Sequence, residues 1–119
     1  MGDDVVIVRK DAAHTLDELA RLAAPSLEQA GALRAVAFGS WARGEADGYS
    51  DLDLAVVLPT DLPMLERGSL LRNLVESLPV AVDLLVYTPE EFDRGMQRGY
   101  GVFEALVREG VTIYQRRSD

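Results

Sequence analysis

The sequence predicts an α/β or α+β domain: a small mixed β-sheet flanked by helices. Three observations predict it. Short apolar runs of strand character alternate with segments whose leucines recur at helical spacing. Gly and Pro fall between most of these segments. Hydrophobic residues make up 48% of the 119 residues, enough for a real core in a chain of this length. At roughly 100–200 residues per domain, the chain reads as one domain. Residues 1–14 read as an N-terminal arm or short strand and 15–119 as a single domain.

In order, Val-Val-Ile-Val-Arg near the start reads as a short strand or loose arm. Thr15 to about Ala30 reads as a helix, because Leu16, Leu19, Ala20, Leu22, Ala23 and Leu27 share one face. Thr15 followed by Glu18 matches a capping box, and Gly31 is a stop. Pro25 inside this run is expected to kink or split it. Leu33 to Phe38 reads as a buried strand ending at Gly39, followed by a turn that opens a short helix over Ser40 to Gly44. A polar loop leads to a second strand, Asp51 to Leu58, ended by Pro59. Leu62 to Leu78 reads as one helix, broken by Pro79, and Val80 to Tyr87 as a third strand. Pro89 with Glu90 and Glu91 makes a good helix start, with a break near Gly99 and Gly101. A last helix over Val102 to Glu109 stops at Gly110, and Val111 to Gln115 is a final short strand.

Composition excludes several functions. Twenty acidic residues against 12 basic ones give a net charge of −8. That balance opposes non-specific grip on a nucleic-acid backbone, which needs clustered positive charge. With no cysteine, disulfides, a cysteine zinc site and a thiol nucleophile are all ruled out. The opening MGDDVVIVRK has neither the basic leader nor the long apolar core of a signal peptide, and no stretch approaches the ~20 apolar residues of a membrane span. A cytoplasmic protein without membrane contact is therefore expected. None of this excludes a carboxylate site that recruits a metal and, through it, a triphosphate.

Such a site is suggested by the segment GSWARGEADGYSDLD, Gly39 to Asp53. Asp51 and Asp53 are two apart on a strand, so their carboxylates share a face. Two bare charges there repel, and a divalent cation with hard oxygen ligands removes the penalty. Asp83 lies mid-strand in the apolar run VAVDLLVY, a costly place for an unpaired carboxylate. If its strand neighbours that of Asp51, the three acids converge into a two-metal site for phosphoryl displacement. Gly39 and Ser40, between a strand and a helix, offer backbone N–H groups and a hydroxyl to phosphate oxygens. Arg43 follows one turn later with a fork of donors. Ser50 could orient a carboxylate or cap the loop. Taken singly, each feature is more often ordinary: a solvated sheet face, a plain turn, an edge-strand acid. Their occurrence in one order with compatible spacing is what weighs.

That combination resembles the nucleotidyltransferase superfamily related to DNA polymerase beta, whose signature is Gly-Ser, about a dozen residues, then Asp-x-Asp. More narrowly, GSWARGEADGYSDLDLAVV is similar to the minimal nucleotidyltransferases of prokaryotes, through Gly39, Ser40, Ala42, Arg43, Gly44, Ser50, Asp51, Asp53 and Leu54. VDLLVYTPEEF resembles the strand bearing the family's third carboxylate, which falls on Asp83, and FEALVREGVTIYQ resembles these proteins' ending. The resemblance implies the polymerase beta-like nucleotidyltransferase fold. It implies Asp51, Asp53 and Asp83 as catalytic metal ligands, and Gly39, Ser40 and Arg43 on the nucleotide side. The cofactor would be Mg2+, two ions, with Mn2+ as the substitute. The reaction would transfer a nucleoside monophosphate, AMP from ATP, and release pyrophosphate. The partner would be a small helical HEPN protein in a toxin–antitoxin pair, with this chain as antitoxin and homo- or hetero-oligomers open. The alternatives are a small-molecule, antibiotic-type nucleotidyltransferase, and a non-catalytic module that neutralises a partner by contact.

The remaining residues have bland readings. His14, the only histidine, reads as a surface or capping residue, and Trp41 as either core or a flank for the nucleotide. Glu90, Glu91 and Asp93 read as compensation of the helix dipole.

Overall fold

The computed structural model describes residues 14–117. The expected N-terminal arm, His14 apart, lies outside the described residues. The first helix, α1, is Leu16–Ala30. The Thr15 hydroxyl accepts the Glu18 N–H at 3.1 Å, and the Glu18 carboxylate accepts the Thr15 N–H at 3.4 Å, so the expected capping box is present. Leu19, Ala23 and Leu27 are fully buried and form one stripe. Pro25 does not split the helix, which runs through it to the left-handed Gly31. Burial of that stripe on the sheet outweighs the backbone hydrogen bond that a proline removes.

Four strands follow: β1 (Arg34–Phe38), β2 (Leu52–Val57), β3 (Val82–Tyr87) and β4 (Val111–Gln115), in sheet order β3-β2-β1-β4. β1 runs antiparallel to β2 and β4, whereas β2 and β3 are parallel. The mixed sheet expected from the sequence is therefore present. Along β2, Leu52, Leu54 and Val56 enter the core beneath α1, while Ala55 and Val57 enter a second cluster on the opposite face. That second face is covered by α4 (Pro89–Arg98) through Phe92 and by α5 (Val102–Glu109) through Leu106. A short helix, α2 (Ser40–Arg43), joins β1 to the loop before β2.

The segment expected as one helix, Leu62 to Leu78, is instead a 3-10 helix, Met64–Leu71, followed by a six-residue helix, α3 (Arg72–Ser77). Gly68 and Ser69 are weak helix formers at the middle of the run. Arg67, only 6% exposed, is held inward. It donates to the carbonyls of Leu62 (2.9 Å) and Val86 (3.1 Å) and to both Glu91 oxygens (2.6 and 3.2 Å). A buried guanidinium needs such partners, and meeting them ties this segment to β3 and α4. No helix among the described residues is long and apolar enough to cross a membrane.

Candidate active site

Parallel pairing of β2 with β3 places Asp53 directly opposite Asp83. Neighbouring strands lie about 4.8 Å apart. Strand alternation sets both acids on the face of Ala55, Val57 and Tyr87, away from α1. Asp51 is exposed and stands one residue before β2 begins, at the same corner of the sheet. Like charges directly opposed in a sheet destabilise it. Consistently, the Asp53 carboxyl is held above its ordinary range, first by burial, then by the charges of Asp83 and Asp51; Arg43 opposes the shift. Asp53 is half-buried, whereas Asp51 and Asp83 are exposed.

Beside this pair lies the turn after β1. Gly39 has φ 75° and ψ −153°, a conformation essentially confined to glycine. A Cβ added there would stand 2.3 Å from Asp53 Oδ2. Glycine is thus required twice, by its backbone angles and by the close approach of the carboxylate. Ser40 begins α2, so the first N–H groups of that helix have no partner within it. Arg43 ends α2 and makes two ion pairs, Nε with Glu45 at 2.9 Å and Nη1 with Glu109 at 3.0 Å. The same Glu109 oxygen, Oε2, accepts the Gly39 N–H at 2.7 Å. The structure thus gathers Gly39, Ser40, Arg43, Asp53 and Asp83 at one end of the sheet, with Asp51 at its rim.

Two neighbours prove to be structural. Trp41 is buried in the α1-side core and donates its indole N–H to the Ser50 carbonyl at 3.2 Å, tying α2 to the start of β2. The Ser50 hydroxyl accepts the Asp47 N–H at 3.0 Å and bonds Asp47 Oδ1 at 3.1 Å. It orders the loop before Asp51. His14, expected as a surface or capping residue, is part-buried at the entry to α1, with its Nδ1 3.3 Å from Glu18.

Glu109 and Arg67 were not singled out by sequence reasoning. Glu109 carries one signal: an acid in the last turn of a helix opposes the helix dipole and needs an external partner. Arg67 carries none, because two of its three partners, Val86 and Glu91, lie 19 and 24 residues away.

Among the described residues, no three acidic or histidine side chains are already gathered into a metal cage. The donor set nevertheless fits a hard divalent cation. Asp53 is disfavoured as an anion by burial and by the two neighbouring carboxylates, and a cation between them would reverse that penalty. A groove of about 380 Å³ opens between the 3-10 helix, α4 and α5, lined by Met64, Tyr87, Arg94, Arg98, Tyr100 and Phe103. Asp51, Asp53 and Asp83 are not among the residues that line it.

Comparison with known proteins agrees with this geometry. The probable protein adenylyltransferase MntA of Haemophilus influenzae is 42% identical over 71 residues, covering 57% of this chain and 62% of its own length. The chain thus matches less than two thirds of that relative. A toxin–antitoxin crystal structure with AMP-PNP superposes with a TM-score of 0.57 at 20% identity, covering 82% of this chain and 74% of that one. A protein from Sulfolobus solfataricus described as a nucleotidyltransferase gives 0.56 at 21% identity, covering 85% and 84%. A mutant of the MntA-HpeT toxin–antitoxin gives 0.54 at 18%, covering 87% and 76%. These structures share the fold. The sequence model of the nucleotidyltransferase domain matches residues 20–108, from α1 almost to the end of α5 and across the whole corner just described. With the carboxylate pair, the glycine turn and strands β1, β2 and β3 all inside that match, the chain belongs to the nucleotidyltransferase domain family.

Proposed function

We propose that this chain is a metal-dependent nucleotidyltransferase that moves AMP from ATP onto a partner protein, as the antitoxin of a toxin–antitoxin pair in the cytoplasm. The observation that carries the proposal is the in-register pair Asp53 and Asp83 beside the Gly39–Ser40 turn. Asp51 and Asp53 would hold the ions on the triphosphate side, and Asp83 the ion on the acceptor side. Bound Mg2+ would neutralise charge on the phosphates and align the attacking oxygen. The chain's own contribution is placement. The parallel register sets two carboxylates side by side, and Gly39, packed close against Asp53, leads directly into Ser40 and α2. Arg43 Nη2 lies beyond the two ion pairs already described, on a side chain 43% exposed, and would meet a phosphate oxygen.

Two features support a protein acceptor. Asp51 and Asp83 are exposed, so the corner is open to a large group. The Haemophilus relative is named for protein adenylylation, and one structural neighbour is a toxin–antitoxin with AMP-PNP. The expected acceptor is a small helical HEPN protein encoded beside this chain, carrying the accepting hydroxyl on a tyrosine.

The test mixes the purified chain with α-labelled ATP, Mg2+ and the folded product of the neighbouring gene. Label should appear on the partner, with pyrophosphate released, and Asp53→Asn should abolish it. Absence of label on a folded partner overturns the proposal. Neutralisation of the partner that survives Asp53→Asn would assign the effect to contact instead.

A further inference from the structure

We propose that Glu109 is a positioning residue of this site: its carboxylate sets the Gly39–Ser40 turn and Arg43 in the arrangement that receives the triphosphate. The role rests on the nucleotidyl-transfer reading above.

Three observations lead to it. First, one oxygen of Glu109 takes both the Gly39 N–H (2.7 Å) and Arg43 Nη1 (3.0 Å), across 70 and 66 residues of sequence. Second, the fold places this acid where its surroundings oppose it. It closes α5, at the negative end of the helix dipole, and its charge acts unfavourably on Asp53. The side chain is only 11% exposed. Its carboxyl is nonetheless held below the ordinary range, foremost by the Gly39 N–H and then by Arg43, so these contacts outweigh the unfavourable setting. Third, Gly39 adopts a conformation that needs an anchor, and it lies between Glu109 on its N–H side and Asp53 against its Cα. Glu109, Gly39 and Asp53 form a continuous contact chain from the end of α5 to the carboxylate pair.

The consequence is a division of donors. The Gly39 N–H is taken by Glu109, so on the nucleotidyl-transfer reading it is the Ser40 hydroxyl that would meet a phosphate oxygen. Arg43 is gripped through Nε and Nη1 by Glu45 and Glu109, which leaves Nη2 outside both ion pairs. Without Glu109 the turn and the guanidinium each lose the contact that orients them. Both groups would bind the triphosphate alike in ground and transition states, so the loss should fall on KM more than on kcat.

The experiment measures kcat and KM for Mg-ATP, with direct binding of a non-hydrolysable analogue, in the parent and three variants. Glu109→Ala should raise KM about tenfold or more, the scale of a lost charge-assisted hydrogen bond, with a smaller change in kcat. Glu109→Gln keeps an oxygen for the Gly39 N–H and should recover part of the affinity; a merely structural acid would show no such graded rescue. Glu76→Ala removes an exposed acid of α3, away from Glu109 and its partners, and should leave KM unchanged. Folded Glu109→Ala and Glu109→Gln proteins with the parent's KM overturn the role. Tighter nucleotide binding in Glu109→Ala also overturns it, because the carboxylate would then be competing with phosphate. A parent that neither binds Mg-ATP nor transfers label overturns the nucleotidyl-transfer reading and this role with it.

Discussion

Replacing Gly39 with alanine should damage stability and activity together, for separable reasons. The backbone at φ 75° and ψ −153° costs a non-glycine residue about 1–3 kcal/mol. For a domain of this size that corresponds to a fall of about 4–15 °C in melting temperature. The added Cβ would also stand 2.3 Å from Asp53 Oδ2, far inside van der Waals contact, so the carboxylate must retreat by roughly 1 Å or the turn must reshape. A displacement of about 1 Å at a reacting centre can cost about 100-fold in rate. Gly44→Ala provides the control. Gly44 also has a positive φ, 74°, but an added Cβ meets nothing within 4 Å. It should therefore lose stability through its backbone alone and keep its activity. The assays are thermal melts by circular dichroism and label transfer from α-labelled ATP at a temperature well below every midpoint. A Gly39→Ala protein that transfers label at the parent's rate would refute the close packing of this turn on Asp53. One that melts with the parent would refute the backbone assignment.

Other expectations follow from the same geometry. Without divalent ions, Asp53→Asn should melt higher than the parent near pH 7, because the folded protein holds the Asp53 carboxyl above its unfolded value and the charged form costs stability. That cost is complete above the folded pKa and vanishes as the pH falls below the unfolded value near about 4, so melts across pH should show the gap closing toward acid. Adding Mg2+ should raise the parent's melting temperature and leave Asp53→Asn unmoved. Leu54→Ala, at a fully buried position of β2, should cost about 2–5 kcal/mol in urea unfolding. Arg67→Met should lower the melting temperature by stranding Glu91 and two carbonyls. Arg67→Met combined with Glu91→Gln should lose less than the sum of the two single changes.

The local signals in the sequence were reliable where the physics is local. The Thr15–Glu18 cap, the left-handed stop at Gly31 and the Pro89 helix start each depend on residues within one turn, and all three stand in the structure. The strands and the Asp53/Asp83 candidates were legible from alternation and from acids set in apolar runs. Their union was only conditional on the sequence, because the parallel register of β2 and β3 joins positions separated by the whole 3-10 and α3 segment. The same reason hid Glu109, whose partners lie in α2 and in the turn before it, and Arg67, whose partners lie in β3 and α4. The single helix expected over Leu62 to Leu78 failed where a buried arginine, a tertiary requirement, overrode the leucine spacing. Trp41 was open between core and nucleotide flank, and its hydrogen bond to the Ser50 carbonyl decides for the core.

Calorimetric titration with Mg2+ and a non-hydrolysable ATP analogue tests the central claim most directly, in the parent and in Asp53→Asn. The account predicts saturable binding by the parent that requires the divalent ion and disappears in Asp53→Asn. Equal binding by the two proteins, or binding by the parent that persists in excess chelator, would contradict a nucleotide site organised by this carboxylate corner.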